Sequence, residues 1–237
     1  SQLLLFYQIY SATDEKPLYY LYWRYILNTF ETLIFIPEGT LLNEKLALKN
    51  ALKSTLKKHE IDFKDKEAVY AKLRSQFKFL SEDEQINLIL QTFLANIPET
   101  KNEYLITLSR QHRLIKGSFD FLDQVKDEIK LLCWGKTKKD ILEPRLADSN
   151  LLNYFDSIQY NIDFKNSFNI RKQLHELNID PDSALIIGSN LVEEIQKAEN
   201  ENLSSLWLAP KKDKNPIKPR PTLHLSRLSD LLFYLNV

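Results

Sequence analysis

Residues 33–36, Leu-Ile-Phe-Ile, form a short apolar run that is partly β-branched and stopped by Pro37, which predicts a buried strand ending in a loop. Residues 43–59 then place Leu46, Leu48, Ala51, Leu52 and Leu56 at helical spacing, and comparable patterns recur over 66–79, 82–94 and 102–114. This stretch reads as entirely helical. After Gly117 the pattern alternates: helix 119–127, strand 129–133, helix 137–147, strand 157–160, helix 168–177, strand 184–187, helix 191–200 and strand 204–208. A lysine- and proline-rich loop, 209–221, leads to a last helix over 226–235. Strands alternating with helices of about ten residues predict an α/β fold with a parallel sheet covered on both faces. The expected organisation is an α/β core of residues 31–42 and 116–237, an all-helical insertion of residues 43–115, and an N-terminal extension of residues 1–30. In such sheets ligands bind beyond the carboxyl ends of the strands. The loops after Ile36, Cys133 and Ile187 are therefore where chemistry is sought.

The extension holds Tyr7, Tyr10, Tyr19, Tyr20, Tyr22 and Tyr25, six of the 11 Tyr in the chain, with Phe6, Trp23 and Phe30. Two readings fit this concentration: a hairpin or helix packed on the core, or a partner-binding surface through which the chain forms a homo-oligomer. Charge narrows the partners further. The 237 residues carry 32 basic and 32 acidic groups, so the electrostatic footprint of a nucleic-acid or membrane-surface binder is missing. No apolar stretch reaches the length of a membrane span, and the first apolar run, residues 3–7, lacks the basic start of a secretory signal. Cys133 stands alone, which excludes an intrachain disulfide and a Cys-based zinc site and fits a reducing compartment. The expected location is the cytoplasm.

Four segments carry the candidate chemistry. Residues 33–42 read L-I-F-I-P-E-G-T-L-L; residues 131–136 read L-L-C-W-G-K; Lys165 opens the helix that follows the strand at 157–160; and residues 184–195 read A-L-I-I-G-S-N-L-V-E-E-I. In order and context they resemble the haloacid dehalogenase-like (HAD) superfamily, in its phosphatase and nucleotidase branch with a helical cap inserted after the first motif. Gly39, Gly117, Gly135 and Gly188, all four glycines of the chain, fall at positions that fit. The resemblance implies a HAD-like Rossmannoid sheet with an inserted helical cap.

In active members of the superfamily the first strand ends in Asp-x-Asp-Gly-Thr/Val, the leading Asp attacking phosphorus and the second acting as general acid and base. Here the leading position is Ile36, a hydrocarbon that can neither attack nor ligate a metal. The second is Glu38, a carboxyl one methylene longer. The fourth motif, Gly-Asp-Ser-x-x-x-Asp, uses its first Asp to hold Mg²⁺; here Ser189 takes that place, Asn190 replaces the Ser, and Glu194 stands at the later Asp. Cys133 occupies the Ser/Thr position of the second motif, and Lys165 matches the phosphate-binding lysine of the third. Thr40, Lys165 and Asn190 remain candidates for binding an anion, and Glu38 and Glu194 are weak metal candidates. Structural readings stand beside these: Lys165 as a solvated helix-start residue, Thr40 and Ser189 as turn caps, Cys133 as a small buried hydrophobe. The expectation is a catalytically inactive HAD-like protein with a binding, regulatory or structural role, requiring no cofactor and recognising a small anion or a protein partner. The alternative is a Mg²⁺-dependent phosphohydrolase acting on a small phosphate monoester or nucleotide through an altered site.

Overall fold

The structure is a computed structural model that describes residues 30–77, 80–95, 99–214 and 216–235. Except for Phe30, which is buried in the core, the aromatic extension lies outside the described residues.

Strand β1 (Thr32–Phe35) is buried throughout, as its unbroken apolar run requires. Helices follow it. Asn43 caps α1 (Glu44–Lys58) by accepting the N–H of Leu46, with Glu44 in the first turn and Lys57 and Lys58 in the last, all aligned with the helix dipole. α2 (Glu67–Arg74) comes next, and α3 (Glu82–Phe93) starts at a reciprocal capping box between Ser81 and Glu84. α4 (Thr100–Ser109) ends earlier than its sequence pattern, because Leu114 forms an antiparallel bridge with Leu42 instead of continuing the helix. Asn43 N donates to Arg113 O at 2.8 Å and Ile115 N to Leu41 O at 2.7 Å, so the chain leaving for the helices and the chain returning from them run paired. These helices bury Leu48, Leu52, Tyr70, Ile89, Tyr104 and Leu108 in an apolar cluster of their own.

The chain then alternates through α5 (Ser118–Val125), β2 (Lys130–Trp134), α6 (Lys139–Asp148), β3 (Ser157–Gln159), α7 (Ile170–Glu176), β4 (Ala184–Gly188), α8 (Gln196–Asn200), β5 (Ser204–Leu208) and β6 (Leu223–Leu225). The six strands form one parallel sheet in the order β3-β2-β1-β4-β5-β6. Alternate side chains enter opposite faces. Leu33, Phe35, Leu131, Cys133, Leu185 and Ile187 share one cluster, whereas Ile34, Ile36, Leu132, Trp134 and Ile186 share the other with Phe164 and Ile170.

Further details depart from the sequence expectations. The predicted helix over 191–200 divides into a single π-helical turn, Leu191–Ile195, and α8. The expected last helix is a 3₁₀ run, Leu228–Tyr234. β6 falls between the expected loop, 209–221, and the expected last helix, in a stretch assigned to neither; it is three residues long, follows a Pro-rich stretch, and is specified by its pairing with β5 more than by its own pattern.

The insertion and the core meet through buried groups. Arg145 of α6 places Nη2 2.5 Å from Glu44 Oε2 and donates through Nε to the carbonyl of Gln111 at 2.8 Å. Ile141, also on α6, packs in the helical cluster.

Candidate functional site

The three loops singled out in the sequence follow β1, β2 and β4, which are neighbours in the sheet, so they converge at one end of it. After β1 the backbone continues in register for one residue, Ile36 N donating to Ile187 O at 3.0 Å, and then turns. The Pro37 carbonyl collects the N–H groups of Leu41 and Leu42 at 3.1 and 2.9 Å, and the Thr40 hydroxyl donates to the Ile36 carbonyl, so Thr40 braces the turn. Gly39 has φ +91°, and a Cβ there would fall 2.3 Å from Ser189 Oγ. The loops after β1 and β4 therefore touch backbone to side chain.

Ile36 is fully buried, packed in the apolar cluster that holds Trp134 and Phe164. Glu38 is buried as well. Its Oε1 accepts from Lys136 N at 2.9 Å, Thr137 N at 2.9 Å and Thr137 Oγ1 at 2.8 Å, while Oε2 has no hydrogen-bond partner among the described residues. Burial raises its pKa above the ordinary carboxylate value, against the opposing pull of Lys136. The donors on Oε1 and the charge of Lys136 oppose that rise without overturning it.

The loop after β4 supplies a second acidic group. Glu194 Oε2 accepts the N–H groups of Ser189 and Asn190 at 2.7 and 3.0 Å, and its Oε1 receives Lys136 Nζ at 2.6 Å. Glu193 Oε2 lies 3.8 Å from the same ammonium, and burial pushes its pKa up to about 7. The side chains of Lys136, Glu193 and Glu194 are 5%, 3% and 0% exposed, so the cluster lies out of water. The Ser189 hydroxyl donates to the Glu38 carbonyl at 3.2 Å, and Asn190 Oδ1 accepts from Val192 N and Glu193 N, capping the π-helical turn.

Two expected positions are engaged otherwise, although Lys165 stays near enough to Glu193 to pull its pKa down. Cys133 lies below the strand end, opposite Phe35 and Ile158 in register and wholly buried, and burial pushes its thiol well above the usual value. Its slot in the second motif therefore presents no side chain to a ligand. Lys165 points to the helical insertion: its Nζ sits 2.6 Å from Glu84 Oε2, and that contact, the largest cause, holds the Glu84 carboxyl at about 2. Lys136, Thr137 and Glu193 were missed in the sequence, although Lys136 closes the second segment and Glu193 adjoins Glu194. Matching motif positions drew attention to Glu194 alone, and a lysine after a strand-end glycine carries no pattern of its own.

The donor set does not fit the family's magnesium site. A hard cation needs converging carboxylate oxygens. Here Ile36 offers none, Ser189 uses its hydroxyl on the Glu38 carbonyl, and Glu194 is already engaged by two N–H groups and an ammonium. Among the described residues no three His, Cys, Asp or Glu side chains converge to hold a metal ion. No helix among them is long and apolar enough to cross a membrane.

Comparison with known proteins agrees with this architecture. Over 231 residues the chain is 23% identical to YfnB of Bacillus subtilis (strain 168), which bears a HAD-hydrolase name, covering 89% of this chain and 97% of that one. It is 23% identical over 226 residues to the pyrimidine 5′-nucleotidase PynA of Streptococcus pneumoniae, covering 87% and 95%. The magnesium-bound crystal structure of YfnB superposes with a TM-score of 0.73 at 22% identity, over 88% of this chain and 99% of that chain. The family model described as haloacid dehalogenase-like hydrolase matches residues 34–208, and the chain belongs to that family.

Proposed function

We propose that this chain is a HAD-family protein that has given up phosphoryl hydrolysis and serves as a binding, regulatory or structural protein. One observation carries the reading: the position of the family's nucleophile is Ile36, a hydrocarbon sealed in the core. Without an anionic nucleophile no phosphoryl-enzyme bond can form at the end of β1. Magnesium, when bound in the family, neutralises charge developing on the transferring group. Here the residues that would hold it are Ile36 and Ser189, and neither offers a carboxylate. Glu38 keeps a carboxyl but points Oε1 at the backbone of the neighbouring loop, which suits a fixed structural acid better than a proton shuttle. A small anion or a protein partner is the ligand class this reading implies.

A second reading, a Mg²⁺-dependent phosphohydrolase with an altered site, is favoured by the nucleotidase name of PynA. The experiment that separates the two incubates the purified chain with Mg²⁺ and either p-nitrophenyl phosphate or pyrimidine nucleoside monophosphates. The expected result is phosphate release no faster than in a buffer blank. Turnover at ordinary enzymatic rates that disappears in Glu38→Ala overturns the non-hydrolytic reading.

A further inference from the structure

We propose that the ammonium of Lys136 is the resident cation of the strand-end site, so that the acidic cluster is neutralised from within the chain and takes no divalent ion. Glu38, Glu193 and Glu194 come from two different loops and are all buried. Carboxylates removed from water need a compensating charge or a proton. Lys136 meets that need from a third loop: Nζ lies 2.6 Å from Glu194 and 3.8 Å from Glu193, while its backbone N–H holds Glu38. One residue thus ties both acidic loops together. The lysine that the motif order would nominate, Lys165, is engaged with Glu84 in the helical insertion and is 30% exposed.

The local backbone explains how Lys136 gets there. Gly135 lies against α6 so closely that a Cβ would meet Leu142 Cδ2 at 1.9 Å, which lets the chain leave β2 tight against the helix. The N–H groups of Lys136 and Thr137 then dock on Glu38, fixing the start of the lysine side chain beside the acids it serves. A cation placed where Nζ stands would have two carboxylates, Glu194 and Glu193, within reach and would draw its remaining ligands from water. Truncating the lysine therefore does two things at once, removing the internal charge and leaving room for an external one.

The inference rests on the non-hydrolytic reading of the strand ends, yet the two fail separately. Thermal unfolding of the full chain is followed with and without about 10 mM MgCl₂, for the wild type, Lys136→Ala and Lys136→Arg, and Mg²⁺ binding is measured by titration calorimetry. The wild type and Lys136→Arg are expected to show no change in Tm and no binding heat. Lys136→Ala is expected to melt lower and to regain roughly 5–10 °C with Mg²⁺, the scale for a chain of this length when free metal exceeds Kd about a hundredfold. If Lys136→Ala does not fold alone, refolding in Mg²⁺ is the readout, and recovery of the native circular dichroism spectrum supports the proposal. A wild type stabilised by Mg²⁺ overturns it, and so does a Lys136→Ala chain that Mg²⁺ neither stabilises nor rescues. Phosphate-ester hydrolysis by a wild type indifferent to Mg²⁺ would refute the non-hydrolytic reading and leave the role of Lys136 standing.

Discussion

Arg145→Met is the sharpest test of how the helical insertion is held on the core. Arg145 is wholly buried and Glu44 nearly so, with Nη2 to Oε2 at 2.5 Å. Methionine keeps much of the side-chain volume, so the packing loss is small. The charge loss is large, because a carboxylate buried with its guanidinium is left without it, which typically costs about 3–5 kcal/mol. The lost bond from Nε to the Gln111 carbonyl adds about 1 kcal/mol. Urea unfolding followed by circular dichroism is expected to give a loss of about 4–6 kcal/mol. Adding Glu44→Gln should return part of this loss, because a neutral amide is far cheaper to bury than a carboxylate. An Arg145→Met protein within about 1 kcal/mol of wild type would refute the claim that this pair fastens the insertion.

Two further outcomes follow from buried titratable groups. Glu193 titrates near 7 in the folded chain and near 4.5 when exposed, so the folded state holds an extra proton between these values. Its contribution is complete below pH 4.5 and is lost as pH rises through about 7. The urea midpoint should fall from about pH 5 to 8, with a ceiling on the order of 3 kcal/mol from this group. Glu38 is shifted in the same direction, so Glu193→Gln should flatten the slope without abolishing it; an unchanged slope would contradict the assignment. Cys133, buried with a raised pKa, should react with a thiol reagent only as fast as the chain unfolds. Labelling of the native chain at the rate of an exposed thiol would show that the strand end is open.

The sheet was legible because β1, β2 and β4 are apolar runs that end at a proline or a glycine, and β5 was read to the residue. The helices of the insertion were legible from the spacing of their apolar positions, and the structure adds caps at two of their starts, Asn43 and the Ser81–Glu84 box. β6 and the end of α4 were not, since both are decided by partners distant in the chain, β5 in one case and Leu42 in the other. The same limit applied to the site. Ile36, Glu38, Ser189 and Glu194 came to light because they occupy recognisable motif positions. Lys136 answers to no motif; what makes it matter is the company of Glu193 and Glu194, some sixty residues away, and only the folded chain brings them together.

The paired crossing formed by Leu41, Leu42 and Asn43 against residues 113–115 acts as a single strap. Two separate tethers would leave the helical lobe free to twist and slide, but strands stitched to each other can only flex as a unit. The paired crossing follows directly on the turn that carries Glu38, so the strap and the buried acid share one short segment of chain.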